Sequence, residues 1–517
     1  MKNKIANGYL ILMLAVFPLF VHDYYYDLTI TKYRFVSNVT IVCALAMLLL
    51  TGKKQEALDA KGKKKLLHPE SPKSIFRGQF LRKEMVCYIA FLFFGILSTV
   101  FSEHKKEAFF GNAGRFNGLL IYLVYGVAFC MLLSVGKIKE EVFYVFEAAG
   151  WLICWLGIIN HYMMDPFGFF DNVKEGDFFY STLGNNNVYG EYLLLLLVIS
   201  AVLFCFCNQR GLRIFHGVTY VLAVFAMYTD GSDGAYLGVA AFLVFFVFAL
   251  REKKEKLRYL RLLAYAILFM QLFRWLIPLH QKTNSKTVLY VNTHPALLPG
   301  AMVIVACLYL FLTVLPEEKR KWLEETLHTK VIYALLLVLG AVAAGVFFVA
   351  VNRGSIAISE YNPLVTMLVY NDNWGTGRGQ IWRVAWESFL QLPFGKKLIG
   401  VGPDTLRYLY EALGQRSGES IIDNAHNVYL QMLLTHGLLG LLSWLSFLLL
   451  SLHTCLKKAR REKTYYAIAF AVLSYYVAAV VGINLINTSA IVMILLGMGL
   501  CDLSSADFSF LSQIGIK

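Results

Sequence analysis

Val331-Ile-Tyr-Ala-Leu-Leu-Leu-Val-Leu-Gly-Ala-Val-Ala-Ala-Gly-Val-Phe-Phe-Val-Ala-Val351 runs without a charged side chain. At ~1.5 Å per helical residue the stretch crosses the ~30 Å hydrocarbon core of a bilayer, where a helix satisfies each backbone N–H and C=O within its own segment. Outward from it, about fourteen apolar blocks of ~16–25 residues fit the same rule, the first near 7–22 and the last near 488–502. The expected fold is an all-α polytopic membrane protein of about fourteen transmembrane helices. The whole chain agrees: 58% of its 517 residues are hydrophobic and 16% charged, against roughly 25% charged in a soluble domain. An ordinary soluble globular protein is excluded.

A net charge of +14 would suit a nucleic-acid binder if the basic residues shared one surface. They divide by side instead. With a cytoplasmic N-terminus, connections alternate across the membrane and most of the 48 lysines and arginines fall on the inner side. The runs Arg251-Glu-Lys-Lys-Glu-Lys256 and Lys457-Lys-Ala-Arg-Arg461 therefore read as topology anchors beside anionic lipid, and no nucleic-acid partner is expected. The first apolar block passes into Phe17-Pro-Leu-Phe-Val-His22 without a small-x-small cleavage site, so it is expected to be retained as a membrane helix, with both termini cytoplasmic. The nine cysteines form no C-x-x-C pair, which suggests neither a disulfide framework nor a zinc site.

On this reading residues 1–351 hold helices one to eleven, on short loops apart from a basic cytoplasmic loop at 52–84. Residues 352–425 form one large extracytoplasmic loop, and residues 426–517 carry the last three helices. A long connection in a compact architecture is more often functional than incidental. Within it, Gly379-Gln-Ile-Trp-Arg-Val-Ala-Trp-Glu-Ser-Phe-Leu390 places Ile381, Trp382, Ala385 and Phe389 on one stripe, the pattern of a short helix at the membrane surface. The glycines of Pro393-Phe-Gly395 and Gly400-Val-Gly-Pro403 mark tight turns, with a second short helix expected from Asp404.

The loop closes on Asp423-Asn-Ala-His-Asn-Val-Tyr429. His426 sits where polar chain enters the next apolar block, and a neutral imidazole there can take a proton from a hydroxyl; the alternative is an interfacial histidine that only hydrogen-bonds. Arg378 follows Asn371-Asp-Asn-Trp-Gly-Thr-Gly377 at a helix start, a setting that suits an anion. Arg115 lies in a similar turn, Gly111-Asn-Ala-Gly-Arg-Phe-Asn-Gly118, and the two arginines can clamp a pyrophosphate or reach lipid phosphates. In Ser181-Thr-Leu-Gly-Asn-Asn-Asn187 the amides can bind sugar hydroxyls or cap a helix, and Glu191 lies a turn into an apolar span, where a carboxylate is costly.

Together these residues resemble the O-antigen ligase and O-antigen polymerase superfamily. The resemblance rests on Arg378, Trp382, the Pro393/Gly395/Gly400-Val-Gly402 run, Ala-His426-Asn427 and Gly437-Leu-Leu-Gly440, over about 374–444, with Gly184-Asn-Asn-Asn187 at an outer helix mouth. It implies a bacterial cytoplasmic-membrane glycosyltransferase, similar in fold to the polytopic C-type enzymes, that acts on undecaprenyl-diphosphate-linked glycan. The acceptor would be a second glycan, a lipid, a protein or a wall polymer, and other polysaccharide-assembly proteins are candidate contacts. By the same resemblance Arg378 binds the diphosphate and His426 is the base. Arg115, Asn187, Asn427 and Glu191 are the candidate substrate-binding residues, and no metal or cofactor is expected. The chain departs from the family in two places. Gly231-Ser-Asp233-Gly234 stands where the family often has Ser-Arg-Gly, a loss for which Arg115 or Arg274 are the candidate replacements. Leu441 stands where the ligase branch tends to have threonine. Two rivals are a metal-dependent C-type transferase using Asp23 and Asp27, and a lipid-linked oligosaccharide flippase; the latter would carry inverted repeats, of which none is evident.

Overall fold

The computed structural model describes residues 2–51, 56–58, 64–66, 81–112, 114–135, 137–169, 179–276, 285–319, 329–356, 368–412, 414, 416–417 and 420–504. Most of the basic loop at 52–84, and residues 357–367 of the 352–425 segment with a few near 413–419, lie outside them. The described chain is helical, and its strands are pairs of two or three residues.

In chain order the helices are α1 (Lys2–Ile11, continued by a π turn at Leu12–Val16 and by Phe17–Leu19), α2 (Leu28–Thr51), α3 (Lys83–Val100), α4 (Lys105–Phe110), α5 (Leu119–Leu133), α6 (Glu141–His161), α7 (Asn186–Phe206), α8 (Arg210–Asp230) and α9 (Asp233–Phe246). They are followed by α10 (Lys253–Leu276), α11 (Lys286–Thr293), α12 (Leu297–Val314), α13 (Thr329–Asn352), α14 (Trp374–Gln391), α15 (Phe394–Ile399), α16 (Leu406–Ala412), α17 (Val428–Lys458), α18 (Tyr465–Ala478) and α19 (Ile486–Leu500). Among the described residues eight helices are long and apolar enough to cross a membrane: α2, α3, α6, α7, α8, α12, α13 and α17. Four more apolar helices, α5, α9, α18 and α19, are shorter. This is an all-α membrane protein.

The helix α7 is the pillar of the bundle. It is apolar around its whole circumference and buried along its length, against α6, α8, α9 and α18. In lipid, helices associate through close packing and interhelical hydrogen bonds, because the surrounding tails are as apolar as the side chains. Both are present here. A Cβ at Gly157 would fall 2.3 Å from Tyr189 Cζ on α7, so glycine lets α6 come that close. Between α6 and α8, Glu147 Oε2 and His216 Nδ1 meet at 2.7 Å in full burial. By contrast α12 and α13 leave most of their surface uncovered.

Hydrogen bonds between connections sort into two ends. At one end Arg82 and Lys458 bond the Leu500 carbonyl, Ile138 pairs with Leu503, and Lys463 meets Glu252 and Glu255. At the other, Tyr25 reaches Ser181 O, Asn487 reaches Leu183 O, and Lys396 reaches Phe101 O. The second end carries the candidate site.

There residues 371–427 form a small layer with its own core: Val384, Ala385, Leu406, Tyr410, Ile422 and Ala425 pack on Leu434 of α17. Ile381, Ala385 and Phe389 thus point into protein on α16 and α17, which revises the expectation of a stripe turned to the membrane surface. Gly395 lies inside α15, not in a turn, since Pro393 caps that helix and open space surrounds the glycine. The second expected helix begins two residues late, at Leu406.

The layer is seated by a break in α17. Gly437 has φ 72 and ψ 179, which frees the carbonyls of the preceding turn. Val401 N–H then donates to Leu434 O (3.0 Å) and Gly402 N–H to Thr435 O (3.1 Å). The two backbones touch: a Cβ at Gly400 (φ 85) would lie 2.3 Å from Thr435 O, and one at Gly437 2.3 Å from Leu398 O. The Gly400-Val-Gly402 and Gly437 signals are two halves of one contact.

Candidate active site

Four distant parts of the chain are tied to residues 479–484, the connection between α18 and α19. The first turn of α17 donates Val428 N–H to Ala479 O at 3.0 Å. From α14, Arg378 Nε donates to Val481 O at 3.1 Å. Asn117 Nδ2, from the 111–118 turn, donates to Asn484 O. Glu191 of α7 lies against Gly482, where a Cβ would come within 2.9 Å of its Oε1. The connection thus brings Arg378, the His426 segment, the Arg115 turn and Glu191 to one place.

Arg378 is aimed by strained backbone. Gly375, Thr376 and Gly377 all have positive φ (59, 62 and 91), and for a β-branched threonine that conformation costs ~1–3 kcal/mol. The reversal turns the Gly375 carbonyl back to Arg378 Nη1 at 2.6 Å, with Thr376 Oγ1 at 3.2 Å. Burial lowers the guanidinium from the ordinary arginine pKa and Asp233 opposes this; an arginine so placed stays charged. Among the described residues no carboxylate hydrogen-bonds it. Among the described residues its hydrogen bonds go to carbonyls and a hydroxyl, as suits a site that receives an anion.

Arg115 differs. It grips Asp423 through Nη2 at 2.9 and 2.8 Å and Nε at 3.2 Å, so its fork is engaged. His426 lies three residues beyond Asp423 with φ 47, its N–H donated to Asn424 Oδ1 at 2.8 Å. No described residue hydrogen-bonds its ring. Its pKa is drawn down to about 4 by burial first, then by the charges of Arg378 and Arg115, with Asp423 opposing. The imidazole is therefore neutral at neutral pH, and both cations act on it.

The remaining expectations fall out unevenly. Asn427 caps α17, its Oδ1 accepting from Tyr429 N and Leu430 N at 3.0 and 3.1 Å. Asn185 caps α7 by accepting from Asn187 N, and Asn187 Oδ1 accepts from Ser232 Oγ at 3.3 Å. Glu191 is buried, and its Oε2 meets no partner among the described residues. Asp233, which stands where the family often has arginine, accepts from Ser285 Oγ, Lys286 N and Thr287 N at the start of α11. In the first connection Asp27 accepts from Asp23 N and Thr31 Oγ1 and meets His22 Nδ1. No group of three or more His, Cys, Asp or Glu side chains among the described residues is arranged to hold a metal ion.

Residues 299–445 match the family model described as O-antigen ligase. This stretch is similar to O-antigen ligases. The match covers less than a third of the 517 residues and shows similarity to that family over this stretch. It begins earlier than the motif stretch at 374–444 and takes in α12 and α13. Arg378, His426 and Asn427 lie inside the matched stretch; Arg115, in the 111–118 turn, and Asn187 and Glu191, on α7, lie outside it. No curated protein matches the chain. The candidate site thus combines the matched stretch with groups from the N-terminal half. Two further groups near the site, Asp404 and the 479–484 connection, carried no functional reading in the sequence. Asp404 follows Gly400-Val-Gly-Pro403 directly, whereas 479–484 acts through carbonyls and leaves no side-chain signal.

Proposed function

We propose that the protein is a glycosyltransferase of the bacterial cytoplasmic membrane that transfers glycan from undecaprenyl diphosphate at the outer face, as an O-antigen-type ligase or polymerase. The observation that carries this reading is the pairing of a cation and a neutral base on one anchor. Among the described residues no carboxylate bonds Arg378 and nothing bonds the His426 ring, and Arg378 and Val428, two residues past His426, both donate to carbonyls of 479–481.

In the reaction an acceptor hydroxyl attacks the anomeric carbon, giving its proton to the His426 imidazole as the new C–O bond forms. The bond from that carbon to the diphosphate oxygen breaks, and its electron pair leaves with the diphosphate. Arg378 stabilises the charge that grows there, with Arg115 as a second cation. Attack opposite the leaving group inverts the anomeric centre, and the guanidinium supplies the charge without a metal. A pKa of about 4 makes a weak base in the free protein. The bound diphosphate offsets the two cations that depress it, so the donor itself strengthens the base.

The wider arrangement follows from the two ends of the bundle. Fourteen crossings are proposed, the eight long helices plus α1, α5, α9, α10, α18 and α19, with both termini cytoplasmic and residues 352–425 outside. His426→Ala and Arg378→Ala, assayed with a lipid-linked donor in membranes at equal protein level, are each expected to lower turnover by ~10²-fold or more. Wild-type rates in both would overturn the assignment. Donor supplied without a second acceptor separates the two roles, because only a polymerase extends its own glycan.

A further inference from the structure

Asp404 lies in none of the roles assigned above, yet it is among the most constrained side chains near the site. It is 8% exposed, with φ +56, just past the Gly400-Val-Gly402 segment that is hydrogen-bonded to the α17 break. One of its oxygens, Oδ2, accepts from Asn112 N at 2.7 Å and from Asn117 N at 3.0 Å. Those two residues flank Arg115. Just outside them the two ends of the turn meet, for a Cβ at Gly118 would sit 2.2 Å from Gly111 N.

We propose that Asp404 is a positioning residue of the transfer site, holding the 111–118 turn so that Arg115 meets Asp423 and both stand beside His426. Every link is a short contact: Asp404 to the backbone of the turn, Arg115 to Asp423, and the Asp423-Asn424 segment to the His426 backbone. Two N–H donors on one oxygen suit an anionic acceptor, for which each bond is charge-assisted. On its other side Asp404 borders a cavity of about 20 Å³ shared with Asn424, Gln431 and His436, enough for one water molecule. The proposal rests on the transfer reading, because its readout is binding of the donor.

The groups facing Asp404 are Arg115 from its turn, Asp423 from the loop end, Tyr122 from α5, Tyr408 from α16 and His436 from α17. Burial raises the carboxyl to about 7; the Asn112 and Asn117 N–H bonds and Arg115 oppose the rise, and Asp423 adds to it. The carboxyl therefore protonates as pH falls through 7, and its two N–H bonds lose their charge assistance.

The test is steady-state kinetics of the full chain in membranes with a lipid-linked donor. Asp404→Ala is expected to raise donor KM about tenfold with a smaller change in kcat, as when binding shared by ground and transition states is lost. Wild-type donor KM should rise as pH falls from 8 to 6. Asp404→Asn, close to isosteric and safe for folding, should have a raised donor KM that is flat across that range. Added to Arg115→Ala, Asp404→Asn should raise KM no further, since both act through one guanidinium. Unchanged donor KM in D404N and D404A, or additive effects with Arg115→Ala, overturn the positioning role. Loss of the transfer reading is separate, and would show as full activity in Arg378→Ala and His426→Ala.

Discussion

At His426 the local field decides the chemistry. Its ring is depressed to about 4 by burial and by two guanidiniums, one of them bound to Asp423 and the other to carbonyls and a hydroxyl. A group with a depressed pKa keeps its neutral form until pH falls through that value. Loss of kcat/KM on acidification should therefore come in two steps: a partial one near pH 7 from Asp404, absent in Asp404→Asn, and a complete one near pH 4 from His426. Because kcat reports the donor complex, in which diphosphate offsets Arg378 and Arg115, its acid limb should lie at higher pH than the lower limb of kcat/KM. Arg115→Ala should move the lower limb of kcat/KM upward. Coincident limbs, or no movement in Arg115→Ala, would show that the ring does not sense those charges. Arg378 and His426 could be named as candidates from the sequence because each stands beside glycine or a polar-to-apolar boundary. The engagement of Arg115 was not, since its partner Asp423 lies 308 residues away.

Among the elements, the apolar blocks gave the helices their places because length and the absence of charge are local properties. What the blocks could not show is how the outer layer is seated. That depends on two glycine backbones crossing at the α17 break, and the partners Gly400 and Gly437 are far apart in the chain. The surface stripe on α14 was misread for a related reason: its periodicity shows an apolar face, whereas only the fold shows that Leu434 and Tyr410 cover it. The same physics separates neighbouring glycines. Gly400→Ala places a methyl 2.3 Å from a carbonyl oxygen and strains a positive φ, so a loss of about 3 kcal/mol or more is expected. Gly395→Ala puts its methyl into open space on a helix and should be neutral or stabilising by up to ~1 kcal/mol. Thermal unfolding of both variants in detergent checks this. Equal melting temperatures would mean that the layer does not depend on the crossing.

For the whole molecule, the division of connections into two ends supports alternating crossings by which connections touch, without counting the charge of each end. The positive-inside pattern is an independent count made on the same connections, and it assigns Arg461 and Lys458 to one side and Tyr26 and residues 371–427 to the other. Agreement between the two patterns is informative at the second end above all, where Tyr25 with Ser181 and Asn487 with Leu183 are joined by neutral groups. The orientation should follow. Tyr26 is 82% exposed, and Glu387 is half-exposed on α14. Cysteine at either position should react with a membrane-impermeant maleimide in intact cells, above the level set by the nine native cysteines of the unmodified chain. Arg461→Cys should react only after permeabilisation. Labelling of Glu387→Cys and Arg461→Cys from the same side would break the alternation, and the site around His426 would then face the wrong compartment for a donor displayed on the outer leaflet.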